Sequence, residues 1–244
     1  MDVIMNRTKY DSVRLEMAGL FLAWAGTYAW LLWSGRYLFF LRPGFRPLLI
    51  LSLCILSAFL TAVLFRARTA RFVNSYAALW IRVGVLVLPL FYLLVAQEEP
   101  LGSHAFKNRS VPPTFSRPIA RPGVSGQVSK DGRVTLLEIL QDFKKYRGKR
   151  VVTEGMVYRD EVVPPRHFLV FRFLIVCCAA DALPAGALVE YDRADSFGID
   201  SWVRVEGILD LKVVDGLVFP CIKAAKVASI DAPKLPYLYP GLFQ

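Results

Sequence analysis

The sequence predicts an α-helical membrane anchor of about three transmembrane helices, followed by a small mainly-β domain, an OB-like barrel with a leading helix. Three observations carry this. Hydrophobic residues make up 55% of the 244-residue chain, high for a soluble protein, and uninterrupted apolar runs fill much of the first hundred positions. The basic excess lies in the same part: residues 1–129 hold 14 Lys and Arg against 5 Asp and Glu, residues 130–244 hold 16 against 15. From about residue 133 onward the pattern changes to short alternating runs bounded by Gly, Pro and Asp, the signature of strands. The expected organisation is 1–96 anchor, 97–132 Pro-rich linker and 133–244 β domain.

The first span expected is Met17 to Trp33, which carries no charge and, with the residues after it, is long enough to cross a hydrocarbon core of about 30 Å. The stretch after it (RYLFFLRPGF) offers no small-x-small cleavage site, so the helix reads as retained rather than as a signal peptide. The second span is Leu48 to Phe65, without charge, Pro or Gly. The third is Tyr76 to Ala96, where Arg82 can snorkel to the interface and Pro89 should kink the helix.

With the N-terminus inside, Arg7, Lys9, Arg14, Arg66, Arg68, Arg71 and Arg82 face the cytoplasm against Arg36, Arg42, Arg46, Lys107 and Arg109 outside, which favours that orientation. Three spans then put the C-terminal domain outside the cytoplasm. No span holds an acidic residue, so the helices are not expected to form a transport pathway by themselves. Gly19, Ala23 and Gly26 fall on one helical face, either as a docking stripe for another helix or by chance.

The linker contains Pro100, Pro112, Pro113, Pro118 and Pro122 and reads as an extended, largely irregular connector whose first part can pack on the domain. Thr135 with Glu138 three positions later forms a capping box, with Leu136, Ile139, Leu140 and Phe143 on one face and Gly148 as the stop. Strands are expected at residues 150–158, 168–178, 187–191, 202–211 and 217–230. VVTEGMVYRD and VRVEGILDLK carry Glu-Gly at the same place, where Gly lets a barrel strand coil sharply. Five such strands suit a small closed barrel, with a β-sandwich as the alternative.

The composition excludes several chemistries. With His104 and His167 as its only histidines, the chain cannot build a His-rich metal site, and no CxxC, GxxxxGK, GxSxG, HExxH or GxGxxG occurs. The β domain is nearly neutral, which argues against nucleic-acid binding. His167 reads as a surface loop residue beside Pro164 and Pro165, and Asp181 as a turn or cap residue.

What remains is RFLIVCCAADA, Arg172 to Ala182. Adjacent thiols suggest a soft-metal or redox site, with Asp181 and Cys221 as further candidate ligands. On a strand, Cys177 and Cys178 would point to opposite faces unless a bulge or strand end intervenes. Three readings stay open: a purely structural pair with one member facing the core, a disulfide from one of the two to Cys221, and a metal site built from Cys177, Cys178, Asp181 and Cys221.

PLGSHAFKNR after the anchor, EGMV, RFLIVCCAADALP, WVRVEG and the late PKLPYLYP together resemble the YcgQ-like small subunit of a two-component bacterial permease complex, over essentially the whole chain. The resemblance implies an uncharacterised family without an established substrate or catalytic residue, acting beside a larger polytopic permease subunit. Its motif falls on Arg172, Phe173, Ile175, Cys177, Cys178, Ala180, Asp181 and Ala182, with no assigned role. The expectation is thus a non-catalytic accessory subunit without a required cofactor, multi-pass in the bacterial cytoplasmic membrane, its partners the bilayer and the permease subunit rather than nucleic acid. The alternative is a membrane-tethered metal-binding or thiol-active protein using Cys177, Cys178 and Asp181.

Overall fold

The computed structural model describes residues 2–65, 84–92, 100–109, 133–214 and 216–240. The chain divides into two compact units, Met1–Glu98 and Glu99–Gln244.

In the first unit, α1 (Asp2–Ser34) ends where Gly35 takes a left-handed φ of 72°, a conformation that costs glycine little. Two short 3₁₀ turns, Arg36–Phe39 and Pro43–Phe45, then lead into α2 (Arg46–Phe65). The two helices pack together, and the Phe21 ring stacks on Phe59 with centroids 6.0 Å apart. Along α2, Leu48, Ile50, Leu51, Ile55, Phe59, Leu64 and Phe65 are exposed. Its hydroxyls turn inward: Ser52 donates to the Leu48 carbonyl, Ser57 to Leu53 and Thr61 to Ala58. A helix that is apolar all round and hides its polar groups against its own backbone is built for an apolar solvent.

The expected fold class needs correction. Among the described residues one helical stretch, Pro43–Phe65, is long and apolar enough to cross a membrane, and about three transmembrane helices are not supported. The region read as the first span is helical, but it belongs to a helix that starts at Asp2 and carries Arg7, Lys9, Asp11, Arg14 and Glu16. Its apolar half is diluted by Trp24, Thr27, Tyr28, Trp30 and Trp33. Of the expected third span, residues 84–92 are helical and the remainder lies outside the described residues. The other unit is mainly β, with five strands.

That second unit contains β1 (Arg150–Tyr158), β2 (His167–Leu174), β3 (Leu183–Glu190), β4 (Trp202–Val214) and β5 (Leu217–Ser229). The pairing order β1-β2-β3-β5-β4 returns from β4 to β1, so the hydrogen-bonded ring is closed. Every pairing is antiparallel except β3 with β5, which is parallel and spans three residue pairs, Leu188 with Cys221, Val189 with Ile222 and Glu190 with Lys223. Alternate residues feed two cores. One gathers Phe168, Val170, Ala187, Val189, Val205 and Ile222 with Leu136 and Ile139; the other gathers Phe171, Phe173, Leu188 and Cys221 with Phe106 and Tyr237.

The two Glu-Gly positions have a steric explanation. A Cβ on Gly155 would lie 2.7 Å from the Phe171 carbonyl oxygen, and one on Gly207 would lie 2.2 Å from the Lys223 oxygen. The neighbouring strand crosses so closely that only hydrogen fits. At Gly207 the β4–β5 register also shifts, a bulge that bends the sheet.

The capping box forms, with Thr135 accepting from the Glu138 amide and Glu138 accepting from the Thr135 amide, but the expected single helix is broken. Asp142, at φ −118° and ψ 42°, separates α4 (Leu136–Gln141) from α5 (Phe143–Tyr146). In the expected linker, Ser103–Arg109 is helical (α3) rather than extended, and Phe106 is 2% exposed in the second core. Residues 110–132 lie outside the described residues.

Candidate functional site: the Cys177–Asp181 turn and its clamps

β2 ends at Leu174, so Cys177 and Cys178 stand on a turn rather than in a strand. Freed from alternation, both thiols reach one place, with sulfurs 3.7 Å apart. A 3₁₀ turn, Ala179–Asp181, brings the Asp181 carboxylate back over the turn, where it accepts from the Val176 amide at 3.1 Å and the Cys177 amide at 2.8 Å. One ligand atom from each of Cys177, Cys178 and Asp181 lies within 4.8 Å of the others.

The electrostatics are those of a resting thiol pair. Hydrogen bonding to Asp181, then to Cys178, pushes the Cys177 thiol up to about 11, so it is protonated at neutral pH and a poor nucleophile. For Asp181, burial pushes the carboxyl up, but the Cys177 thiol and backbone amides outweigh it and hold the group below the ordinary range. Cys177 is exposed and Cys178 half-buried. Neither residue is fully buried.

One arginine holds the turn and a second holds the late segment that runs beside the end of β2. Arg109 of α3 donates to the Ala179 carbonyl at 2.9 Å and the Ala182 carbonyl at 3.3 Å. Arg172 is 5% exposed, lies over the Trp202 ring, and donates to the carbonyls of Pro236 at 3.1 Å, Tyr237 at 3.3 Å and Leu235. Burial lowers its pKa to about 10, still charged at neutral pH. The late segment it grips runs beside the end of β2, with Ile175 donating to Leu238 at 2.9 Å and Leu238 to Phe173 at 2.8 Å. The Tyr237 hydroxyl in turn accepts from the Leu101 amide, and Asp200 holds the amide and hydroxyl of Ser103, both at 2.6 Å. Arg172 is thus a clamp, and Phe173 is a fully buried core residue.

Cys221 does not join this group. It is a free, buried thiol whose sulfur neighbours ligand atoms of His167 and Glu190, so of the open alternatives neither the disulfide nor the four-residue metal set forms. Nor is His167 a surface residue, being 7% exposed. The sequence hides this second grouping because its members come from three strands far apart in the chain.

A family model described as the DUF1980 C-terminal domain matches residues 127–240. The chain is also 26% identical over 99 residues to the UPF0703 protein YcgQ of Bacillus subtilis (strain 168), an alignment covering 40% of this chain and 35% of that protein. The chain thus spans about a third of the length of the curated relative it matches. The turn and Arg172 lie within the matched residues, Arg109 lies before them, and the chain is similar to the YcgQ-like proteins, an uncharacterised family.

Proposed function

We propose that the chain is a non-catalytic, membrane-anchored accessory subunit of a permease complex. The observation that carries this reading is the apolar stretch Pro43–Phe65, in whose most apolar window no residue is buried among the described residues, although α1 packs along it. After Arg46 it contains no ionisable group except the Cys54 thiol, so it suits an anchor or a helix partner better than a conducting path. In this reading the unit Glu99–Gln244 is the working part, on the extracytoplasmic side of a bacterial membrane. Affinity purification of the full chain from native membranes is expected to enrich a polytopic membrane protein; recovery of the chain without one overturns the reading. An Ala225→Cys label site on a Cys177→Ser/Cys178→Ser background should react with an impermeant maleimide in intact cells. Protection until lysis reverses the sidedness.

A second reading is favoured by one distance. Two thiolates on a single tetrahedral ion, each about 2.3 Å from it, stand about 3.8 Å apart, and the Cys177 and Cys178 sulfurs are 3.7 Å apart. With Asp181 as a third ligand, the turn is shaped for a soft divalent ion without rearrangement of its backbone. The purified full chain should then take up one Zn2+ that the Cys177→Ser/Cys178→Ser chain does not, at unchanged far-ultraviolet circular dichroism.

A further inference from the structure

We propose that His167, Glu190 and Cys221 form a second site for a soft divalent cation such as Zn2+, and that the Lys212 ammonium is a built-in competitor for it. The proposal is independent of the Cys177–Cys178 turn and of the permease reading.

The sheet delivers one side chain from each of four strands to one spot. His167 opens β2 and is the cross-strand partner of Glu190, which closes β3. On β5, Cys221 pairs with Leu188, two residues before Glu190 and so on the same face. On β4, Asp210 is the partner of Cys221, and Lys212 follows it by two on that face. A ligand atom from each of His167, Glu190 and Cys221 lies within 4.8 Å of the others. Ligands sharing one tetrahedral ion at ordinary bond lengths are about 3.3–3.8 Å apart. His167 Nε2 and Glu190 Oε2 are already separated by 3.7 Å, so closure asks for side-chain shifts on the order of 1 Å.

The histidine is prepared for a cation. Its Nδ1 lies 2.7 Å from the Pro165 carbonyl oxygen, which can only accept, so Nδ1 carries the hydrogen and the Nε2 lone pair faces the cluster. A ring N–H held by a carbonyl while the other nitrogen points inward is the usual arrangement of a metal-binding histidine. Lys212 Nζ stands in front of that lone pair at 2.6 Å and is 3.3 Å from Glu190 Oε2. An ammonium there does the work of a cation, donating to a nitrogen and a carboxylate that would both serve as metal ligands.

The exchange is one cation for another. When the metal enters, the Lys212 ammonium swings to solvent and the Cys221 thiol gives its proton to water, so the divalent ion faces one carboxylate, one thiolate and the His167 Nε2 lone pair. Imidazole, carboxylate and thiolate together match Zn2+ better than the oxygen-seeking Mg2+ or Ca2+.

The test uses the full chain in detergent on the Cys177→Ser/Cys178→Ser background, with Co2+ as the probe. We expect one equivalent to bind with a thiolate-to-cobalt charge-transfer band, and Cys221→Ser to remove that band. Lys212→Met should tighten the dissociation constant by tenfold or more, because the competitor is gone. If Cys221→Ser fails to fold, Glu190→Gln serves in its place and should weaken binding at least tenfold. A Lys212→Met chain that keeps its circular dichroism but shows no charge-transfer band overturns the site. An unchanged dissociation constant in that variant overturns the competitor role of Lys212.

Discussion

Arg172 shows how one residue can tie a motif together. Its guanidinium serves three carbonyls of the segment Leu235–Tyr237 from a position 63 to 65 residues earlier. Replacement by Met keeps the volume but strands those acceptors, at a cost of about 1–3 kcal/mol for each buried group left unsatisfied. Arg172→Met should therefore lower the thermal midpoint and expose the Ile175 and Leu238 amides to hydrogen exchange before those of the sheet. Simultaneous loss of protection across all five strands would refute the clamp as a local device. In the sequence, RFLIVCC and PYLY stand out as separate runs, but no local pattern encodes a bond between positions so distant.

Glu154 belongs to the same scale. Burial pushes its carboxyl up, yet hydrogen bonds and charge from Arg204 and Arg133 outweigh this and hold it below the ordinary glutamate value of 4.5. A depressed folded-state pKa means stability present above that value and lost as pH falls through the folded one. As pH falls below about 5 the thermal midpoint of the natural chain should fall more steeply than that of Glu154→Gln. Parallel curves would show that the two arginines add nothing beyond solvent exposure.

At the scale of elements, the glycines were readable and the strand ends were not. The paired Glu-Gly runs mark Gly155 and Gly207 in the sequence, and the structure supplies the steric reason at each. Gly207→Ala would drive a methyl into the Lys223 carbonyl, backbone that cannot step aside. We expect a loss of several kcal/mol, read as a fall in denaturation midpoint, whereas Gly198→Ala, where a Cβ meets nothing within 4 Å, should be nearly silent. The end of β2 was misplaced because residues 168–178 are continuously apolar apart from Arg172, and apolarity cannot tell a strand from the turn that follows it. That misplacement put Cys177 and Cys178 on opposite faces, when the turn gathers both beside Asp181. Cys221 and His167 went astray for a related reason: which strands become neighbours is a property of the closed ring, fixed by the short parallel β3–β5 contact.

For the whole molecule, composition separated an apolar front from a β-rich rear, while the number of spans did not follow from apolar runs. Trp, Tyr, Thr and Gly make Met17 to Trp33 continuous in charge-free character but only moderately apolar, and α2 alone passes as a span among the described residues. Ile55→Arg places a charge near the middle of Pro43–Phe65. A charge at the centre of a bilayer helix costs about 2.5–3.5 kcal/mol on insertion scales, so the fraction of chain resisting alkaline carbonate extraction should drop sharply. Full retention would show that α2 is held in the membrane fraction by something other than lipid.

The closed ring also sets a timetable for the nascent chain. β1, β2 and β3 follow one another and can pair as they emerge, but the outer edges of β1 and β3 find their partners only in β4 and β5. Until residues 191–229 have been translated, a delay of roughly 2–8 s at 5–20 residues per second, two unpaired edges face the cytosol or the translocation machinery. An edge left open that long invites pairing with another copy. The moment of greatest danger to this protein thus comes before it is finished, and the β4–β5 hairpin ends it by covering both edges at once.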